Sequence, residues 1–184
     1  MNLILGTAEF DPRGYAGKKP LEFKEKVRIL NLAWEGGIRL LDTSYAYGYD
    51  DELNKYAGGF HKLLKTRDVR TGFYHYRQDE LPVAGVTNAS VYTKEQLVGK
   101  HEFIVPLSIN NTLFGEFVLQ RSHMWNGTSQ YMGTYVRSVF DRGRLLKQGY
   151  TVKDCLSFVN RHSPTGIIVG VNSVKELEQI LKAS

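Results

Sequence analysis

The chain has one cysteine, five prolines and no apolar run long enough to cross a membrane. The single cysteine, Cys155, cannot form a disulfide within the chain, which excludes a disulfide-stabilised scaffold. No Cys/His spacing of a zinc site is present, and the basic residues form separate small clusters, so we expect no metal site, no nucleic-acid partner and no membrane partner. The net charge is only +5, which fits a solvated surface or a preference for anionic ligands such as cofactor phosphates.

The first residues carry no recognisable secretory signal. Met1 to Leu5 lead directly into Gly6 and Thr7, and this stretch is shorter than the about 7–15 apolar residues of a signal-peptide core. We therefore expect a cytoplasmic protein. With 184 residues and 42% apolar content, the chain is predicted to fold as a single domain over residues 1–184.

Strand-like and helix-like segments alternate from end to end, which is typical of an α/β protein with a parallel sheet. The sequence contains about seven strand signals and about five helix signals. A complete eight-stranded barrel ordinarily needs about 250 residues. We therefore predict a shortened TIM-type (β/α) barrel with about seven parallel strands, in which some helices are reduced to loops.

Apolar periodicity and helix-capping residues predict the individual elements. Helices are expected over about Pro20–Glu35 and Asp51–Lys65, and after the capping residues Thr93, Thr151 and Ser173. The second helix ends sooner if Gly58 and Gly59 stop it. Cys155 falls on an apolar helical face and is predicted to be a core thiol. The predicted strands are Leu3–Leu5, Ile38–Asp42, Val69–Tyr76, Pro82–Thr87, Phe103–Ile109, Thr134–Phe140 and Gly166–Val171.

The segment GIRLLDTSYAYGYDDE is the most informative part of the chain. A predicted buried strand ends at Asp42, and Tyr47 follows five residues later. Proteins with parallel sheets bind ligands and carry out chemistry at the carboxyl ends of their strands. Asp42 and Tyr47 are therefore the leading candidates for a functional site. The simpler alternative is that Asp42 caps a turn and Tyr47 packs.

Five segments resemble, in order, the aldo-keto reductase family, particularly the branch found among polysaccharide-biosynthesis genes. They are LILGTAEF, GIRLLDTSYAYGYDDELNKYAGG, AGVTNASVYTKEQL, YVRSVFDRGRLL and GIIVGVNSVKELEQIL. The resemblance implies reduction of a carbonyl by NADPH or NADH, with a Tyr hydroxyl protonating the carbonyl oxygen. It also implies a Lys, paired with an Asp, and a His that assist the Tyr, because a free Tyr has a pKa of about 10.

By this resemblance the catalytic residues are Asp42, His75 and the proton donor Tyr47. The Lys has no counterpart among the predicted strands. The family carries it at the end of a strand reading like Thr-Lys, before the strand that carries the His. Either Gly72 replaces it within Val69–Tyr76, or its strand has been deleted.

The resemblance also implies a set of cofactor-binding residues. Glu176 falls where the family has an Arg for the 2′-phosphate, so a carboxylate there favours NAD over NADP, although Glu176 also fits a simple helix cap. The implied residues line the barrel mouth, hold the carboxamide, wrap the pyrophosphate and open the last helix; they are Gly6, Thr7, Thr87, Asn88, Ser138, Phe140, Arg142, Gly170 and Ser173.

Two functions are compatible with these residues. The first is NAD(P)H-dependent reduction of a small aldehyde or sugar-like carbonyl substrate, with Tyr47 as the proton donor. The second is an inactive barrel relic that binds a ligand or a protein, an alternative motivated by the missing Lys. A homodimer is also expected, because missing helices would leave apolar surface for self-association to cover.

Overall fold

The computed structural model describes residues 1–15, 17–44, 47, 51–66, 73–74, 85–87, 102–110 and 133–184. Its eight strands form a closed barrel in chain order, β1 to β8, and every neighbouring pair is parallel. The predicted α/β barrel is confirmed, with eight strands where the sequence predicts about seven. The strands are β1 Leu3–Gly6, β2 Leu40–Ser44, β3 His61–Thr66, β4 Phe73–Tyr74, β5 Gly85–Thr87, β6 Glu102–Pro106, β7 Gly133–Arg137 and β8 Gly166–Gly170.

The additional strand is β3, within the segment predicted to be a helix from Asp51 to Lys65. That prediction is wrong beyond the first turns, because helix α2 spans only Asp51–Tyr56. Gly58 and Gly59 follow it, and glycine is a poor helix former. β3 then pairs with β2 over its first five residues. The pattern Lys-Leu-Leu-Lys fits a helix as well as a strand, so only the pairing with β2 identifies this strand.

The barrel closes within a short chain because several connections are brief. Residues 67–72 alone join β3 to β4, and residues 75–84 join β4 to β5. A helical crossover between parallel strands takes about a dozen residues or more. The described strands β4 and β5 fall within the predicted segments Val69–Tyr76 and Pro82–Thr87, whose other residues lie outside the described ones. The helix predicted after Thr93 lies outside the described residues.

The remaining helices flank β1, β7 and β8. They are α1 Phe23–Glu35, α3 Arg144–Lys147, α4 Val152–Asn160 and α5 Val174–Ala183. α1 begins three residues later than predicted and ends, as predicted, at Gly36 and Gly37, where Gly37 has a φ of +86°. At the start of α4, Thr151 Oγ1 accepts a hydrogen bond from Asp154 N, and the Asp154 carboxylate accepts one from Thr151 N.

Two apolar clusters stabilise the barrel, one inside it and one between strands and helices. Ile4, Ile104, Tyr135 and Ile168 form the interior cluster, and Leu40 and Leu63 pack against it. Leu5, the neighbour of Ile4, belongs instead to the outer cluster with residues of α1, α4 and α5. This alternation follows from the two-residue period of a strand. Cys155 is fully buried in the outer cluster, as predicted, and burial raises its pKa.

No helix in the described part of the chain is long and apolar enough to cross a membrane.

The close contact between Gly59 and Trp34 generates a test of packing around α1. A Cβ at position 59 would lie 2.7 Å from Cη2 of Trp34. The indole is held by the Arg39 guanidinium, 3.8 Å from its ring centroid, and by the edge of Phe60. Gly59→Ala should therefore lower the free energy of unfolding by about 1–3 kcal/mol, measured by urea denaturation.

Gly58→Ala is the matched control. A Cβ at position 58 would meet only Asn54 O, at 3.9 Å, so its effect should stay within about 0.5 kcal/mol. Equal effects of the two substitutions would contradict the packing explanation.

Candidate active site

A pocket of about 500 Å³ lies at the carboxyl ends of β1, β2, β7 and β8. Residues from four distant segments meet there because closure of the barrel brings these strand ends together. Seven of the residues predicted from sequence line it, namely Gly6, Asp42, Tyr47, Ser138, Phe140, Arg142 and Gly170. Most of the site residues predicted from sequence therefore line one cavity.

Asp42 is fixed in the pocket wall by its strand. It is only 3% exposed, and it pairs with Gly6 on one side and with Leu63 on the other. Thr7 N donates a hydrogen bond of 2.9 Å to Asp42 O, which ties the end of β1 to β2. Tyr47 lies beyond the end of β2 and is half-buried in the same pocket.

Thr7 and Ser173 have structural contacts and lie outside the described lining of the pocket. Thr7 is fully buried, and its Oγ1 lies 2.8 Å from the Thr43 hydroxyl. Ser173 caps α5, where its Oγ accepts a hydrogen bond of 3.2 Å from Glu176 N. In a capping box the Glu176 carboxylate would also accept a hydrogen bond from Ser173 N. Here it accepts one from Asn172 N, one residue earlier.

The loop after β7 presents Arg142 to the pocket through an unusual backbone. Ser138, Asp141 and Arg142 have φ values of 61°, 47° and 55°, a region that few non-glycine residues adopt. Asp141 anchors this loop by accepting hydrogen bonds of 2.6 Å from Asn110 Nδ2 and from Arg144 Nη2. The bond from Arg144, with a smaller contribution from Asn110, lowers the pKa of Asp141.

Charged residues of both signs line the pocket, among them Glu9, Asp11 and Lys18 in the segment after β1. Arg137 and Arg142 belong to β7 and its loop, whereas Glu176 lies in the first turn of α5. The Glu9 carboxylate lies against Gly170, since a Cβ added there would be 2.5 Å from Glu9 Oε1. The arrangement suits a ligand with phosphate near the β7 loop and neutral hydroxyl groups near α5.

Sequence reasoning missed Lys65, because it assigned β3 to a helix. The register pairs Lys65 with Ser44, two residues beyond the Leu63–Asp42 pair. The strand expected to carry a Lys before the His strand is therefore present, and its deletion or replacement by Gly72 is not required. Lys65 and Thr66, which end β3, were the part of the sequence from which this strand could have been predicted.

The other predicted site residues lie partly or wholly outside the described residues. His75 and Asn88 lie outside the described residues. Thr87 ends β5 and pairs with Ile104, and its side chain is not described. Within the described ranges, no group of three or more His, Cys, Asp or Glu residues could hold a metal ion.

The fold is similar to that of a protein from Pseudomonas aeruginosa that is provisionally assigned as an aldo-keto reductase. The two chains are 17% identical and superpose with a TM-score of 0.67, over 99% of this chain and 89% of that one. At this level of identity the similarity shows a shared fold. The sequence matches no protein-family model and no curated protein.

The Asp141 contacts generate a prediction about pH. Because its pKa is lowered in the folded state, its stabilising effect is present above the ordinary value of about 3.9 and is lost as the pH falls through the lowered one. Asp141→Asn should reduce the free energy of unfolding at pH 7 by about 1–2 kcal/mol, measured by urea denaturation. The difference from the wild type should shrink below about pH 4.

Glu178→Gln, at an exposed position of α5, is the control for loss of one negative charge and should have little effect at either pH. A deficit for Asp141→Asn that is the same at neutral and acidic pH would contradict the charge-assisted anchoring of the loop.

Proposed function

We propose that this protein is a carbonyl reductase that uses NADH, with Tyr47 as the proton donor. The main support is the pocket that contains Asp42 and Tyr47 together with the loop of Arg142 and the first turn of α5. A cavity that combines a proton donor with cations for phosphate is what reduction by a dinucleotide requires. The substrate is proposed to be a small aldehyde or sugar-like carbonyl compound.

The residues of the pocket fit a nicotinamide dinucleotide. Arg137 and Arg142 offer guanidinium groups for the two phosphates. Glu176 offers a carboxylate for ribose hydroxyls, as acidic residues do in other dinucleotide sites, and Gln179 offers an amide beside it. The volume of about 500 Å³ lies within the range of small-molecule and cofactor sites. When bound, the cofactor would supply a hydride to the carbonyl carbon.

Tyr47 would hydrogen-bond the carbonyl oxygen and give it a proton as negative charge develops there. An isolated Tyr is a weak acid with a pKa of about 10, so transfer near neutral pH needs a neighbouring cation. Lys65 is proposed to provide that cation, and Asp42 to hold the ammonium group near the phenol. In each turnover Tyr47 would begin protonated, give its proton to the carbonyl oxygen and take up a proton from solvent afterwards.

The finding of β3 weakens the alternative of an inactive relic. That alternative was motivated chiefly by a missing Lys, and Lys65 now occupies the strand from which a Lys was expected. The buried Asp42 also supports a retained site. Burying a carboxylate costs free energy, so a chain without a use for it would gain from an apolar residue there.

Tyr47→Phe provides the direct test of the proton donor. It should lower NADH-dependent reduction of small aldehydes by at least about 10²-fold, because proton transfer contributes that much or more. Binding of NADH, measured by calorimetry, should be nearly unchanged. Tyr56→Phe removes a hydroxyl from an exposed residue of α2 and should leave turnover intact. Undiminished reduction by Tyr47→Phe would refute the assignment.

Lys65→Met tests the proposed cation. Without a nearby ammonium group, the pKa of the Tyr47 phenol should rise, so kcat should fall about 10²-fold and the alkaline limb of the pH profile should move to higher pH. Lys62→Met is the matched control, since Lys62 is exposed on the same strand and bonds Asn54. If both variants show the wild-type pH profile, Lys65 has no role in tuning Tyr47.

A further inference from the structure

Exposed aromatic residues lie together between α1 and α2, away from the candidate pocket. Phe23 and Trp34 of α1 are each 39% exposed, and Tyr56 at the end of α2 is 48% exposed. In the part of the chain that the structure describes, Tyr150 is the only other exposed aromatic residue that does not line the candidate pocket. Clustered exposed aromatic rings are typical of a surface that another molecule covers.

These rings border a groove because α2 is much shorter than α1. α2 has 6 residues and α1 has 13, which correspond to lengths of about 9 Å and about 20 Å. Only part of α1 can therefore lie against α2. At the carboxyl end of α1 an open groove is lined by both helices and by the loop before β3; its residues are Asn31, Trp34, Glu35, Lys55, Tyr56, Gly58, Gly59 and Phe60.

The next unit of the barrel supplies no helix on this side. In a (β/α) barrel the helix after β3 would lie beside α2. Residues 67–72 are all that join β3 to β4, and a helical crossover needs about a dozen residues or more. The chain therefore lacks the helix that ordinarily flanks α2 in this fold.

Contacts within the chain hold the exposed rings in place. The Arg39 guanidinium lies 3.8 Å from the Trp34 ring centroid, and its Nη1 donates a hydrogen bond of 2.6 Å to Trp34 O. The edge of Phe60 meets the same indole, and the rings of Phe23 and Tyr56 also meet edge to face, with centroids 6.0 Å apart. Rings that are fixed beforehand lose little conformational entropy on binding, and Trp, Tyr and Arg contribute most strongly to protein interfaces.

Two residues of opposite charge border the groove, one on each helix. Glu35 ends α1 and Lys55 lies in the last turn of α2, and both are exposed. Neither forms an ion pair within the described ranges of the chain. A two-fold axis through the groove would bring each of them to the other residue of a second copy, because residue i then meets j and j meets i. The groove is thus complementary in charge to itself, whereas a partner of one predominant charge would match only one of the two.

We propose that two copies of this chain form a two-fold symmetric dimer through this groove, with Trp34 and Tyr56 at its centre and Glu35 of each copy paired with the partner's Lys55. The dimer would cover the flank that the missing helix leaves beside α2. None of the groove residues lines the candidate pocket, so the dimer does not rest on the proposed function.

Sedimentation velocity at about 1–100 µM protein covers the dissociation constants of weak to moderate dimers, and the wild type should convert from monomer to dimer over this range. Tyr56→Ala should raise the Kd of the dimer at least about tenfold, because the substitution removes a ring from both copies. Tyr150→Ala removes an exposed ring outside the groove and should leave the Kd unchanged. Circular dichroism checks that each variant is folded.

Charge reversal identifies the partner as a second copy. Glu35→Lys and Lys55→Glu should each raise the Kd about tenfold or more, because like charges then meet twice across the axis. An equimolar mixture of these two variants should dimerise like the wild type, since every charge that meets another across the axis is again opposite. The double variant Glu35→Lys/Lys55→Glu should recover for the same reason. Glu178→Lys, at an exposed position of α5, is the control and should not alter the Kd.

Each outcome decides the proposal. A wild type that remains monomeric at about 100 µM overturns it. A dimer that is equally stable in the wild type, in Tyr56→Ala and in both charge variants also overturns it, because the interface then lies elsewhere. Charge variants that dissociate singly and stay monomeric when mixed would exclude the two-fold pairing. Recovery in the mixture supports the dimer, because only a contact between copies depends on which two variants are combined.

Discussion

Closure of the barrel between β1 and β8 is the constraint on which the site depends. The register pairs Gly6 with Gly170 on one side and with Asp42 on the other. These three residues therefore form one row across three strands at the barrel mouth. Two of them have no side chain, and the room beside them is taken by the Glu9 carboxylate at Gly170 and by Ile168 at Gly6. A single-residue slip of β8 would remove Gly170 from this row and place another residue over the cavity.

The same closure explains why the described helices gather on one side of the barrel. α1, α4 and α5 pack in the outer cluster with β1, β7 and β8, next to the strands that carry most of the pocket. The connections from β3 to β5 are brief, and short loops lose less entropy on closure than long ones. Within the described residues, the helices thus lie beside the strands that form the candidate site.

The sequence predicts those parts of the structure that depend on local chemistry. The strand before Asp42, the glycine end of α1 and the Thr151 cap follow from periodicity and capping residues. β3 was missed because Lys-Leu-Leu-Lys fits either period, and its identity depends on pairing with β2. Arg142 was predicted in the site, but its left-handed backbone was not, because that conformation depends in part on the contact from Asn110, 31 residues away, to Asp141.

The contact between Glu25 and Val174 was beyond prediction for a related reason. Nothing near Glu25 in the sequence indicates a partner 149 residues away, and the carboxylate also fits an ordinary i, i+3 pair with Arg28. Only the packing of α1 against α5 brings the Glu25 carboxylate to the start of the other helix, where it accepts a hydrogen bond from Val174 N.

A helix start can stabilise the fold through internal carboxylates or bind a ligand phosphate, but the same N–H groups cannot do both at once. In this chain Asn172 N and Val174 N already donate to internal carboxylates, and Lys18, Arg137 and Arg142 are cations that line the pocket. The loop after β7 has an unfavourable backbone conformation at Ser138, Asp141 and Arg142, and such a conformation persists only where surrounding contacts enforce it. The contacts of Asp141 therefore hold the loop that carries Arg142, while Glu25 and Glu176 accept hydrogen bonds at the start of α5.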